Sequence, residues 1–306
     1  MKYYFKKLIV ISMFALIVSC RFYFDTTKDN FTSHKDVTSV QNGKNLTHNI
    51  CGSCHYDHDL KKFVGKPMNE LPRIGGELYS ANLTQSATNG IPAKYSDAEL
   101  FYLLKTGIAK NGKFMPYMMR PMMADEDIND VITYLRSNDS DVTAADKTVG
   151  ISHINFLGKM FIRISSKKPT AFNKGVIRPD DNNASDYGHY LVAVVGCYHC
   201  HSASLLHIDY SLPELSKGYM AGGAKFRSKE GKKIRGSNLT SDRETGIGGF
   251  SLEDFTLAVR EGIALGGGKL RVPMPKFKML TDKQVKAIYT YVQSLPAAHH
   301  KVALNL

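Results

Sequence analysis

Apolar positions recur at helical spacing in two separate parts of the chain. Ile128, Val131, Ile132 and Leu135 stand at i, i+3, i+4 and i+7, and Val285, Ile288, Tyr289 and Val292 repeat the arrangement. Each set makes one stripe along a helix and predicts a face turned to a core. Polar residues mark helix starts. Ser96 with Glu99 reads as a capping box, Ser251 with Asp254 as a weaker one, and Thr281 with Gln284 caps the last stripe. Two further helical segments, "GKNLTHNI" and "YGHYLVAVV", run into short cysteine-bearing motifs at 51–55 and 197–201.

These elements come in two sets because the chain repeats itself. Asn82-Leu83-Thr84 matches Asn238-Leu239-Thr240, Gly107-Ile108 matches Gly262-Ile263, and Met115-Pro116 matches Met274-Pro275. The predicted architecture is all-α, with one module over 38–140, a linker over 141–184 and a second module over 185–300. The linker region is basic, with seven Lys/Arg and no Asp or Glu from Lys147 to Arg178. Its stretch "ISHINFLGKMFIRIS" has apolar residues at roughly helical spacing, and it reads as a segment lying across both modules with its lysines in water.

The N-terminus departs from this pattern. Lys2, Lys6 and Lys7 precede the apolar run Leu8–Val18, which ends at Ser19 and Cys20. That is a secretory signal over 1–19, with a run too short to span a bilayer comfortably. The "IVSC" ending resembles a bacterial lipobox, which makes Cys20 the lipidated first residue, with 20–37 as a tether and an envelope membrane as the destination. Acyl chains would hold the protein on a membrane surface. The 306 residues carry a net charge of +12, which suits an acidic protein partner or an anionic membrane face. Export and the lack of any nucleic-acid motif argue against nucleic acid.

Four of the five cysteines form "CGSCH" (Cys51, Cys54, His55) and "CYHCH" (Cys197, Cys200, His201). C-x-x-C has three common readings: a redox disulfide, half a zinc site, or a haem attachment. Helical periodicity lacks the βαβ setting of a thioredoxin-type site. The two pairs occupy equivalent places in separate modules, which disfavours one shared zinc. The histidine directly after the second cysteine recurs, as covalent haem requires: two thiols add to the vinyl groups, and the adjacent imidazole turns onto iron. Two covalent haem c groups are expected. His199, inside the second motif, reads as a surface filler.

On these motifs, the "NLT" loops, "TGIGGFSLEDF" with its twin "NGIPAKYSDAEL", and the "MP" segments, both halves resemble class I cytochrome c domains. They look in particular like the cytochrome subunits of bacterial membrane-associated alcohol and sugar-acid dehydrogenases. Those subunits usually carry three haem motifs, whereas this chain has two. The resemblance implies single-electron transfer with redox protein partners, a dehydrogenase among them, and no substrate chemistry. It also implies a methionine sixth ligand before each last helix, here Met115 and Met274, although Met118, Met119, Met122 and Met123 crowd the first loop. Methionine ligation raises the reduction potential. Pro67 and Pro213, each 12 residues past its histidine, are where the family offers a carbonyl to the proximal imidazole. A dihaem peroxidase with one open iron is the rival reading, and the matching M-P segments argue against it. The loop Lys217–Arg235, in a region where the second module is ten residues longer than the first, carries seven Lys/Arg against Glu230 alone. It is a candidate docking element for an acidic partner.

Overall fold

The computed structural model describes residues 31–33, 36–69, 76–147, 149–156, 170–228 and 232–303. The signal and lipidation reading at Cys20 lies outside them. No helix among the described residues is long and apolar enough to cross a membrane.

In the first module α1 (Val37–Ile50) leads into the short α2 (Gly52–His55), and α3 (Ile91–Lys94) and α4 (Asp97–Thr106) precede α5 (Asp125–Leu135). The second module repeats the plan with α6 (Ala184–Val195), α7 (Cys197–His201), α8 (Leu252–Thr256) and α9 (Asp282–Ser294). The capping boxes at Ser96, Ser251 and Thr281 are all present in full. Both middle helices end on a left-handed glycine, Gly107 and Gly262, and the second closes through a π-turn over Leu257–Glu261.

The first and last helices of each module cross closely, α1 on α5 and α6 on α9. Glycine makes both crossings possible: a Cβ on Gly43 would stand 1.9 Å from the Asp130 carbonyl oxygen, and one on Gly188 2.0 Å from that of Ala287. The apolar stripes are buried as expected, with Ile128, Val131 and Ile132 on one side and Val285, Ile288 and Val292 on the other.

Two short antiparallel ladders add minor strand content. β1 (Gly76–Glu77) pairs with β2 (His153–Ile154), and β3 (Lys225–Arg227) pairs with β4 (Lys233–Arg235). The linker stretch expected to be helical therefore opens as a strand, because the edge of the first module offers it backbone partners; residues 157–169 lie outside the described set. Further on, the linker lies across the first module. Thr170 donates to the Lys105 carbonyl, Phe172 meets the Phe101 ring edge-on, and Arg178 pairs with Glu126 and Asp127.

The modules also meet directly. The Tyr190 hydroxyl donates to Asp127 and accepts from the Ala124 amide, while Gln284 donates to Asn45, which itself donates to the Met279 carbonyl. These are satisfied buried polar contacts, which fix orientation as well as proximity.

Candidate haem sites

Each cysteine motif is a single helical turn at the end of its module's first long helix. Gly196, left-handed at φ 85°, breaks α6 and starts the turn that carries Cys197, Cys200 and His201. The four cysteines are free thiols and half-buried. Burial pushes the Cys51 and Cys197 thiols up to about 12 and Cys200 to about 11, with the neighbouring Cys54 adding to the last. Among the described residues no three His, Cys, Asp or Glu side chains converge as a metal cluster.

The histidines are the better-defined part of each site. His55 and His201 are buried, and burial lowers both imidazoles against the backbone carbonyl bonds that favour the charged form. His55 Nδ1 lies 2.7 Å from the Ala81 carbonyl, and His201 Nδ1 lies 2.8 Å from that of Ser237. A carbonyl only accepts, so Nδ1 carries the proton and Nε2 keeps its lone pair for a metal.

The acceptors correct the expectation placed on Pro67 and Pro213. Pro67 instead bridges Tyr79, and Pro213 opens a one-turn 3-10 helix. The true acceptors directly precede the Asn-Leu-Thr triplets, whose repetition is thereby explained. Asn82 Oδ1 accepts from the Thr84 amide and hydroxyl, and its Nδ2 donates to Asn89 and to the Ala145 carbonyl. Asn238 does the same with Thr240, Thr245 and the Ala298 carbonyl. Each asparagine thus locks the loop that presents the histidine's acceptor.

The methionine loops can be registered on shared backbone bonds. The Met115 amide donates to Gly107 O at 2.7 Å, and its counterpart in the second module is the Leu270 amide on Gly262 O at 2.7 Å. Beyond Met115 the Met118 amide closes a turn on Met115 O and the Met119 amide one on Pro116 O, and beyond Leu270 the Met274 amide closes a turn on Arg271 O. Both loops then return to the middle helix, Arg120 to Leu104 and Phe277 to Val259. Counted from the Gly107 and Gly262 bonds, Met274 falls level with Met119; counted back from the return bonds, it falls level with Tyr117, because the second loop is two residues longer. Met119 and Met123 are core residues, the first with its sulfur 3.6 Å from the Thr170 hydroxyl. Met115, Met118 and Met122 are half-buried.

Sequence reasoning missed Arg120 and misplaced His199. Arg120 Nη1 donates to the Tyr117 and Met119 carbonyls, and its Nε is buried without a partner. Its charge acts on Cys51 in its own module and on His199 in the other. His199 is packed between the Tyr198 and Tyr210 rings, at 4.3 and 5.1 Å between centroids, with Nε2 buried and unpaired. The two motifs therefore lie on one seam.

Paired thiols, a histidine of fixed tautomer beside them and unpartnered buried polar atoms fit a covalently attached haem in each module. Residues 40–139 match the cytochrome c family. The chain is similar to the gluconate 2-dehydrogenase cytochrome c subunit of Pantoea cypripedii, 28% identical over 268 residues that cover 81% of this chain and 57% of the relative. The fructose dehydrogenase cytochrome subunit of Gluconobacter japonicus is 28% identical over 81% of this chain and 50% of its own length. The alcohol dehydrogenase (quinone) cytochrome c subunit of Gluconobacter oxydans is 37% identical over 106 residues, 34% of this chain and 20% of the relative. The chain thus spans about half the length of these two dehydrogenase subunits, gluconate and fructose. It contains a cytochrome c domain and two haem c attachment motifs, homologous to cytochrome c subunits of bacterial dehydrogenases.

Proposed function

We propose that this protein is a dihaem electron-transfer cytochrome that carries single electrons from a dehydrogenase or respiratory donor to a downstream acceptor. Cys51, Cys54, Cys197 and Cys200 hold the haems. His55 and His201 are the proximal ligands, and Met274 is the sixth ligand of the second site. Met115 is the sixth ligand of the first site, since Pro116 follows it as Pro275 follows Met274. The haem supplies a one-electron ferric/ferrous couple. The protein's part is to fix each imidazole through Nδ1, close the opposite face with a thioether and exclude water.

The observation that carries this reading is the twin imidazole hydrogen bond, Ala81 to His55 and Ser237 to His201. Such a bond orients a ligating histidine and raises its donor strength. Location belongs to the same proposal. Likeness to dehydrogenase cytochrome subunits supports an exported, membrane-associated protein, and a lipid on Cys20 is the anchor. The purified protein is expected to keep two haems per chain after acid-acetone extraction, with low-spin six-coordinate spectra at both irons. Extractable haem, bound zinc or a high-spin iron that turns over peroxide overturns the reading. Cys20→Ser is expected to release the protein from membranes with both haems retained.

A further inference from the structure

The β3–β4 hairpin carries its charge in an arrangement that folding alone disfavours. Its register sets Lys225 opposite Arg235 and Arg227 opposite Lys233, with Phe226 opposite Ile234 between them. Alternation along a strand puts the four cations on one face and the two apolar residues on the other. Ile234 is buried, while Lys225, Arg227 and Lys233 are exposed. Like charges directly opposite across two strands repel. Lys225, Lys233 and Arg235 have no acidic side chain within ion-pair distance among the described residues. The C-terminal segment adds to the same charge, since Lys301 lines a cleft with Arg235 and His300.

The hairpin grows directly from the second haem motif. The Gly222 amide donates to His201 O at 2.7 Å and the Ala224 amide to Ser202 O at 3.0 Å. At the other root Gly236 lies against the Cys200 carbonyl, where a Cβ would stand 1.9 Å away. Ser237, next in the chain, holds His201. In the first module the described residues show no such arm, and the β1 edge is covered by β2 of the linker.

We propose that the cationic face of β3–β4, extended by Lys301, is the docking surface for an acidic redox protein, and that this partner exchanges electrons with the second haem site. This rests on the electron-transfer reading above. Complementary charge at such a rim acts on encounter rate and orientation. That account explains why like charges are kept opposite one another beside a haem motif.

The test compares two holoproteins of equal charge change, Lys225→Glu/Lys233→Glu/Lys301→Glu and the control Lys61→Glu/Lys94→Glu/Lys286→Glu. Binding of poly-L-glutamate is measured by calorimetry at low and high salt, and oxidation of the ferrous protein by ferricyanide, which takes one electron per haem, by stopped flow. The hairpin variant is expected to bind poly-L-glutamate at least tenfold more weakly and to react several-fold more slowly at low salt. The control is expected to stay near wild type. Equal losses in both variants would reduce the effect to net charge and overturn the proposal. So would a hairpin variant that loses only its co-sedimentation with phosphatidylglycerol vesicles, which would make the face membrane-directed. Covalent haem content, read from the pyridine haemochrome of each sample, reports separately on the electron-transfer reading.

Discussion

Met115 and Met118 lie three residues apart, and imidazole substitution separates them. Imidazole favours ferric iron more than thioether does. Met115→His is therefore expected to leave the first haem low-spin and lower its potential on the order of 0.1 V, a fraction of the about 0.8 V that axial ligands span. Met118→His is expected to leave both potentials near wild type. The reverse outcome in redox titration would move the ligand to Met118. The residues around the ligand explain the ambiguity. Methionine packs adaptably into irregular apolar space, so Met119 and Met123 fill core beside a ligand of the same type. Composition cannot distinguish filler from ligand there, whereas the proline directly after both Met115 and Met274 sets those two apart. His199 is a comparable case. Its neighbours Tyr198 and Tyr210 enclose it, but Tyr210 is eleven residues away, beyond any local pattern.

The elements set by local interactions were legible in the sequence. Ser96, Ser251 and Thr281 cap through bonds that span three residues, so their spacing alone located three helix starts. The stripes on α5 and α9 were equally readable, since burial follows the helical period. What escaped depends on separation along the chain. The His55 acceptor is 26 residues away and the His201 acceptor 36, so a proline at fixed spacing was the wrong guide. β2 is two residues long and has no period to read. The glycines at the helix crossings carry a testable consequence. Gly188→Ala puts a methyl into the Ala287 carbonyl. The gain in helix propensity, about 1 kcal/mol, is smaller than the displacement of two packed helices, where overpacking costs about 1–3 kcal/mol or more. Thermal unfolding of the holoprotein is expected at a lower temperature, with Gly43→Ala acting similarly in the first module. An unchanged midpoint for both variants would mean that neither crossing is tight.

At the scale of the whole molecule, the seam between the modules makes two electron sites one electrostatic unit. Asn45, Gln284, Asp127 and Tyr190 hold the modules in one orientation. Cys54 then acts on Cys200, and Arg120 on Cys51 and His199. A fixed cation beside both sites stabilises the ferrous form at each, because reduction adds an electron next to positive charge. Arg120→Gln is expected to lower both haem potentials by tens of millivolts, where about 59 mV is a tenfold change for one electron. Arg120→Lys is expected to restore most of the shift, since it keeps the charge while losing the guanidinium bonds to the Tyr117 and Met119 carbonyls. The check is spectroelectrochemical titration of all three proteins, with the haems resolved by low-temperature spectra. If Arg120→Gln moves the first potential alone, the cation serves one module and the shared seam is wrong. If Arg120→Lys behaves like Arg120→Gln, loop geometry rather than charge sets the potentials.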